Sequence, residues 1–351
     1  MLMGRINIPV VCCDAGDVLA EDIFNQKGVL LAVKNTVMNH YIKKKLLEFG
    51  INDVWLYQPA GLFVHEAKAS KKEKVEKNYK KAVFIVKKFL SQICSGGTID
   101  YGLVNEISNT ILEVIYEPGS IAQCLSELKH SDEYTYTHCV NVAFYSMLIA
   151  KWLKTPDSLT QEVIQAGLLH DIGKTKVSKE ILNKKEKLTS AEWKIIKKHS
   201  QYGYEMIKDI PGISQGVLTG VLQHHERMDG SGYPGKLSGD NIGLHAKIIA
   251  VADVYDAMTQ NRVYKRKVSP FESFRMFLTS GICSFDTHVL GVFLKHLPAY
   301  YIGERARLNN GLQGEIVYIP PHDVIYPIVQ IGSNFLDLSK DEQLKVVDIM
   351  G

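Results

Sequence analysis

The sequence predicts a mainly α-helical protein with a small α+β segment at its N-terminus and a small β segment at its C-terminus. Three observations predict it. From Tyr101 to about Tyr300 apolar residues recur at helical spacing, broken by turn formers at Pro118-Gly119, Pro211-Gly212 and Asp229 to Gly235. Ahead of that block, β-like runs at Val18 to Ile23, Gly28 to Leu31 and Val54 to Tyr57 flank a helical stretch, Asn35 to Phe49, that ends at Gly50. After Tyr301 the chain reads GERARLNNGLQGEIVYIPPHDVIYPIVQIGSNFLDLS, short alternating runs separated by Asn-Asn-Gly, Pro-Pro and Gly-Ser turns, which predicts a small β-barrel or meander.

At 351 residues the chain exceeds the ~250 residues at which single cores stop growing, so several domains are expected. The texture divides it into an N-terminal accessory α+β domain (1–66), basic connector helices (67–117), a main helical domain (118–300) and a C-terminal β domain (301–351). The connector opens on a lysine-rich stretch, Ala67 to Lys88, with Val75, Tyr79, Val83 and Val86 at helical spacing. Such a pattern suits a solvated connector helix, with contact to a polyanion or membrane as the alternative.

Hydrophobic residues make up 46% and charged residues 23%, the balance of a globular protein. Lys and Arg exceed Asp and Glu by 41 to 38, a net charge of +3 that gives no field suited to duplex nucleic acid but is compatible with a small anionic ligand. The six cysteines form no Cys-x-x-Cys pair and sit mostly in apolar contexts, as reduced core thiols do. MLMGRINIPVVCC has no signal-peptide core and no apolar run reaches ~18 residues, so a cytoplasmic location and no transmembrane segment are expected. No phosphate loop of the GxxxxGK[ST] type, no Gly-x-Gly-x-x-Gly after a strand and no serine nucleophile elbow occurs, which removes support for kinase, dehydrogenase and esterase chemistry. Trp55, Trp152 and Trp193 are expected as packing residues.

The chemical signal is a cluster. Of the twelve histidines, His138, His170, His199, His224 and His225 fall in one interval, accompanied by Asp171 and Asp253. Imidazoles and carboxylates suit divalent iron, manganese, nickel or zinc, and different helices can direct them to one pocket. In GLLHDIGK, His170 and Asp171 are adjacent, and neighbours on a helix diverge by roughly 100°. Both can serve one cluster only if the backbone lies close to it and Asp171 reaches between two ions.

In order, the motifs TYTHCVNVA, HDIGK, KKHSQYGYEMI, HHERMDGSGYP and IIAVADVYDAMTQNRVY resemble those of the HD-GYP family of cyclic di-GMP phosphodiesterases, over roughly Pro118 to Leu297. The N-terminal segment GDVLAEDIFNQKGVLLAVKNTV and the C-terminal tail resemble accessory segments found beside such domains, with weaker motifs. The resemblance implies a helical HD-domain core holding two divalent transition metals, iron or manganese foremost, nickel or zinc as alternatives. His138, His170, Asp171 and Asp253 would hold one ion, and Asp171, His199, His224 and His225 the other, with Asp171 as the bridge. Two such ions suit in-line hydrolysis of a phosphodiester.

The resemblance also implies that Asp171 and Lys174 carry the catalysis, Lys174 by stabilising charge on the phosphate or protonating the leaving oxygen. Gly232 would touch the ligand through its backbone and Tyr233 would pack, while Arg262 and Lys265 would meet phosphate or the guanine edge. Asp256, three residues after Asp253 on the same helix, would orient a ligand histidine. Some family members place a Glu four residues before the first histidine to help hold a third metal; here that position is Tyr134, so two metals are expected.

The expected reaction linearises cyclic di-GMP to pGpG, with GMP as a further product. Hydrolysis of another phosphorylated nucleotide, a cyclic GMP-AMP hybrid or a guanosine polyphosphate, and a non-catalytic cyclic di-GMP sensor stay open, as does a homodimer through the N-terminal or connector helices.

Overall fold

The computed structural model describes residues 5–57, 81–88, 91–93, 97–115, 134–184, 186–260 and 267–350. They are mainly helical, and they cluster into two compact units: one formed by Met1–Ala69, Val268–Leu278 and Phe293–Gly351, the other by Ser70–Lys267 and Thr279–Val292. Among the described residues no helix is long and apolar enough to cross a membrane.

The first unit joins the two chain ends. Strands β1 (Arg5–Pro9) and β4 (Asp53–Tyr57) pair antiparallel, as do the short β2 (Ile23–Phe24) and β3 (Leu30–Ala32). The run from Val18 to Ile23 joins a named strand only at Ile23; Val18 and Leu19 make single bridges to Val37 and Leu56. Helix α1 spans His40–Glu48 rather than starting near Asn35, because Asn35 adopts the left-handed region at φ 70° and Asn39, extended, caps the helix by accepting from Ile42 N. Ile42 and Leu46 on its inner face close a core with Val10, Leu19, Met38, Val54 and Leu56.

The C-terminal strands β5 (Arg305–Leu308), β6 (Gln313–Tyr318), β7 (Ile328–Ile331), β8 (Asn334–Asp337) and β9 (Val346–Met350) form an antiparallel sheet in the order β8-β7-β6-β5-β9. The sequence texture separates the N- and C-terminal segments into two domains; their contacts group them. Tyr318 Oη donates to Leu31 O at 2.7 Å, Asn39 Nδ2 donates to Val317 O at 2.8 Å, and the Tyr41 ring tilts against Tyr318 and Phe335. Pairings nearly 300 residues apart in sequence leave no local trace. Trp55 is 39% exposed, not a packing residue of this core.

The second unit is a helical bundle: α2 (Tyr101–Ile115), α3 (Tyr134–Trp152), α4 (Asp157–Leu169), α5 (Lys179–Leu182), α6 (Ser190–Lys197), α7 (His199–Ile207), α8 (Gln215–Gln223) and α9 (Leu244–Thr259). Pro270–Leu278 (α10) belongs to the first unit, and Thr287–His296 (α11) runs through the boundary of the two groupings. Every residue from Thr137 to Ala150 is buried, so α3 is a central helix against which α4 and α9 pack, with His138 and Asn141 among its buried polar residues. The capping box of Thr189 and Glu192 starts α6, whose Trp193 is 49% exposed rather than packed. Of the lysine-rich stretch, residues 81–88 are described: helical, with Ala82, Ile85 and Val86 buried and Lys81 paired to Glu106 at 2.9 Å. The remainder lies outside the described residues.

Asn39 both caps α1 and bonds β6, so Asn39→Ala should lower stability by about 1–2 kcal/mol. Urea unfolding of the full chain measures this, and an unchanged midpoint would show that neither bond matters.

Candidate metal centre

The site is assembled at helix ends. An α-helix leaves its last carbonyls without intrahelical partners, and here three of them orient imidazoles. His170 and His224, directly after α4 and α8, come within 2.8 Å of Gly167 O and Val221 O through Nδ1; His199, opening α7, comes within 2.7 Å of Ile196 O in the last turn of α6. A carbonyl only accepts, so each Nδ1 must donate, and in a neutral ring that leaves Nε2 as a bare lone pair. His138, in α3, is held by a carboxylate instead: its Nδ1 donates to Asp256 Oδ2 at 2.7 Å, and Asp256 Oδ1 accepts from Asn141 Nδ2 at 2.8 Å.

The chain leaves α geometry between the adjacent pair. His170 is still helical at φ −53°, ψ −37°, whereas Asp171 has φ −99°, ψ 3° and opens a 3₁₀ turn over Ile172–Lys176. That change of direction lets both side chains serve one centre. Asp171 Oδ2 lies 3.4 Å from His170 Nε2 and 3.6 Å from His138 Nε2, while Oδ1 lies 3.4 Å from His199 Nε2. Asp253 Oδ1, from α9, lies 3.2 Å from His138 Nε2 and 4.0 Å from His170 Nε2. The donor atoms fall into two groups, His138, His170 and Asp171 in one, Asp171, His199, His224 and His225 in the other, each compact enough for one ion.

The arrangement fits cations. His170 Nε2 is buried with no hydrogen-bond partner, a defect that costs about 1–3 kcal/mol when nothing offsets it. His199 Nε2 and His224 Nε2 face each other at 3.2 Å although both rings already donate through Nδ1. Burial pushes the pKa of His199 down, that of His224 well below its ordinary value, and that of His225 to about 3, so the rings are neutral and two lone pairs confront one another. Only a cation between them turns that repulsion into attraction. Burial would raise Asp171 and Asp253, but the Lys174 ammonium holds Asp171 well below the carboxylate range, and the bond to His138 does so for Asp253. His138 is pulled down by burial yet raised to about 9 by its bonds to Asp253 and Asp256, so a metal entering there must displace a proton.

Lys174, in the 3₁₀ turn, sets its Nζ 2.5 Å from Asp171 Oδ2 with its side chain 39% exposed. The Gly-rich loop folds back on the site: a Cβ on Gly232 would come 2.5 Å from Glu226 Cα and His225 O, and Tyr233 stacks on His225 with centroids 4.6 Å apart. Gly232 therefore makes its close approach to the protein's own backbone. Arg262 and Lys265 lie outside the described residues, as does the side chain of Tyr134. Sequence reasoning missed Asn141, Glu226 and Arg227. Arg227 donates to His224 O at 3.1 Å and stacks on Phe285, and Glu226 is 2% exposed; an acid and a base placed directly after two candidate ligands were the available signal.

Gly173 sets the spacing of the His170 and His199 elements, since a Cβ there would stand 1.9 Å from His199 O. Gly173→Ala is expected to lower the melting temperature through overpacking of at least about 1–3 kcal/mol. A melt identical to wild type would refute this contact.

The sequence model for the HD domain matches residues 123–288. A cyclic di-GMP phosphodiesterase of Pseudomonas aeruginosa is 39% identical over 229 residues, 65% of this chain and 54% of that protein. A 3'3'-cGAMP-specific phosphodiesterase of Vibrio cholerae is 40% identical over 133 residues, 38% of this chain and 28% of that one. The chain thus spans about half the length, or less, of these two curated relatives. Among solved structures, an HDG"Y"P protein from Bdellovibrio bacteriovorus aligns over 83% of this chain and 98% of its own with a TM-score of 0.51 at 15% identity, a likeness of fold. Residues 123–288 match the HD-domain model, and the histidine, aspartate and Gly-Tyr-Pro motifs within them are similar to those of HD-GYP proteins.

Proposed function

We propose that this chain is a metal-dependent phosphodiesterase that opens cyclic di-GMP to pGpG, with GMP as a further product. The observation that carries the reading is the position of Asp171, whose two oxygens face two different histidine groups. His138, His170, Asp171 and Asp253 would hold one divalent ion and Asp171, His199, His224 and His225 a second, iron or manganese before nickel or zinc. Bound there, the ions would supply Lewis acidity toward phosphoryl oxygens and activate water.

The protein's own groups do the rest. Lys174, half-exposed beside Asp171, is placed to offset charge on a phosphate and to give a proton to the leaving oxygen. Asp256 keeps the His138 ring oriented through Nδ1. Tyr233 shields His225, and Arg262 and Lys265 are assigned to the phosphate and guanine edge by their place in the motif. The accessory segments 1–66 and 301–351 stand outside the chemistry, the connector 67–117 leads into the catalytic segment 118–300, and the absence of a disulfide among the described cysteines suits a cytoplasmic enzyme.

The substrate reading rests on the relative from Pseudomonas aeruginosa, whose name is that of a cyclic di-GMP phosphodiesterase. Hydrolysis of a cyclic GMP-AMP hybrid is the second reading, favoured by the relative from Vibrio cholerae.

Chromatography of cyclic di-GMP incubated with anaerobically purified protein, alongside a cyclic GMP-AMP control, tests both. Appearance of pGpG is expected, and turnover of the hybrid alone would replace the first reading with the second. Asp171→Ala should lower metal content and cut turnover at least about 100-fold, beyond the loss typical of a residue that only supports a ligand. Normal metal and normal rate in that variant would refute the two-metal assignment.

A further inference from the structure

Four of the five site histidines have their rings fixed by a hydrogen bond at Nδ1: His138 to Asp256, and His170, His199 and His224 to backbone carbonyls. Among the described residues His225 has no such bond. What bears on its ring is Tyr233, stacked at a 27° interplanar angle with centroids 4.6 Å apart, and Tyr233 belongs to a loop. That loop is tied down by one buried side chain. Glu226, 2% exposed, accepts from Gly235 N at 2.5 Å through Oε1 and from Leu237 N at 2.9 Å through Oε2. Tyr233 N also donates to His225 O at 3.2 Å, and Gly232 lies too close to residues 225–227 to admit a Cβ.

A buried carboxylate without hydrogen bonds is strongly disfavoured, and here two backbone donors on one loop satisfy it. Neither donor is in a regular element, so the carboxylate and the loop conformation depend on each other. We propose that Glu226 is a positioning residue for His225: by clamping residues 235–237 it holds the Tyr233 ring against the imidazole, doing for this histidine what the Nδ1 hydrogen bonds do for the other four. Both Glu226 oxygens are engaged by its own loop, so it acts through Tyr233 and His225. The proposal rests on the reading of His225 as a ligand of the second ion.

Manganese titrations of the full chain, with bound metal counted after equilibrium dialysis, test it in four proteins: wild type, Glu226→Gln, Asp171→Ala and Val163→Ala. Glu226→Gln keeps the shape but turns one acceptor into a donor facing Leu237 N. Val163→Ala weakens the core of α4 in the same unit without touching the loop. The expected result is two manganese ions on wild type, and on Glu226→Gln one ion at wild-type affinity with the second weakened at least about 10-fold, the scale for loss of a group that orients a ligand. Val163→Ala should bind both normally. Glu226→Gln binding both ions as wild type does, or Val163→Ala losing the second ion equally, would overturn the positioning role while leaving the two-metal reading intact. Wild type binding fewer than two ions, or Asp171→Ala binding both, would overturn the two-metal reading and the positioning role with it.

Discussion

The constraint on which the second unit depends is the crowding of electron pairs around Asp171. Three helix ends and two helix interiors deliver imidazoles and carboxylates to one buried place, with two imidazole nitrogens 3.2 Å apart and a third without a hydrogen bond. A hydrophobic core gains nothing from this, and each unpaired buried acceptor costs on the order of 1–3 kcal/mol. The surrounding bundle has to outweigh that cost, and it does so with an α3 buried from Thr137 to Ala150 and with rings fixed at Nδ1 by carbonyls that a helix end leaves free. The same bonds that satisfy the helix termini aim the lone pairs inward. The contacts that close the helix ends are thus the ones that shape the candidate cation site.

The division of labour among helices follows from that geometry. Helix α3 brings His138 and α9 brings Asp253 and Asp256, and both are interior helices whose side chains at the site are locked by packing. His170, His199 and His224 come from helix ends, where the backbone itself approaches the centre and adjacent residues need not diverge. Asp171 exploits that release: one step beyond the helix it faces the groups on both sides. His225 is different, since its ring leans on a loop, and the loop on a buried carboxylate.

Much of this was legible in the sequence because the candidate ligands are distinctive residue types in distinctive motifs. The helical core and the C-terminal meander followed from apolar periodicity and turn residues, and the five histidines with two aspartates marked the centre. The start of α1 was misplaced by several residues because Asn35 takes a left-handed conformation that periodicity does not register, while the true cap, Asn39, lay inside the run. Trp55 and Trp193 read as packing residues and stand substantially exposed. Asn141, Glu226 and Arg227 escaped because their roles come from bonds to a carboxylate, to loop amides and to carbonyls, interactions available to any polar residue and visible only when the chain is folded. The union of the two chain ends in one unit likewise depends on Tyr318 and Asn39 meeting partners far away in sequence.

The central claim is that one carboxylate, Asp171, serves two cations at once. The most direct measurement is an anomalous difference map, collected at the manganese edge, from crystals of the chain grown with manganese. Two peaks flanking Asp171, one shared with His138, His170 and Asp253 and the other with His199, His224 and His225, is the result this account predicts. A single peak, or a pair of peaks with Asp171 bonded only to Lys174, would contradict it.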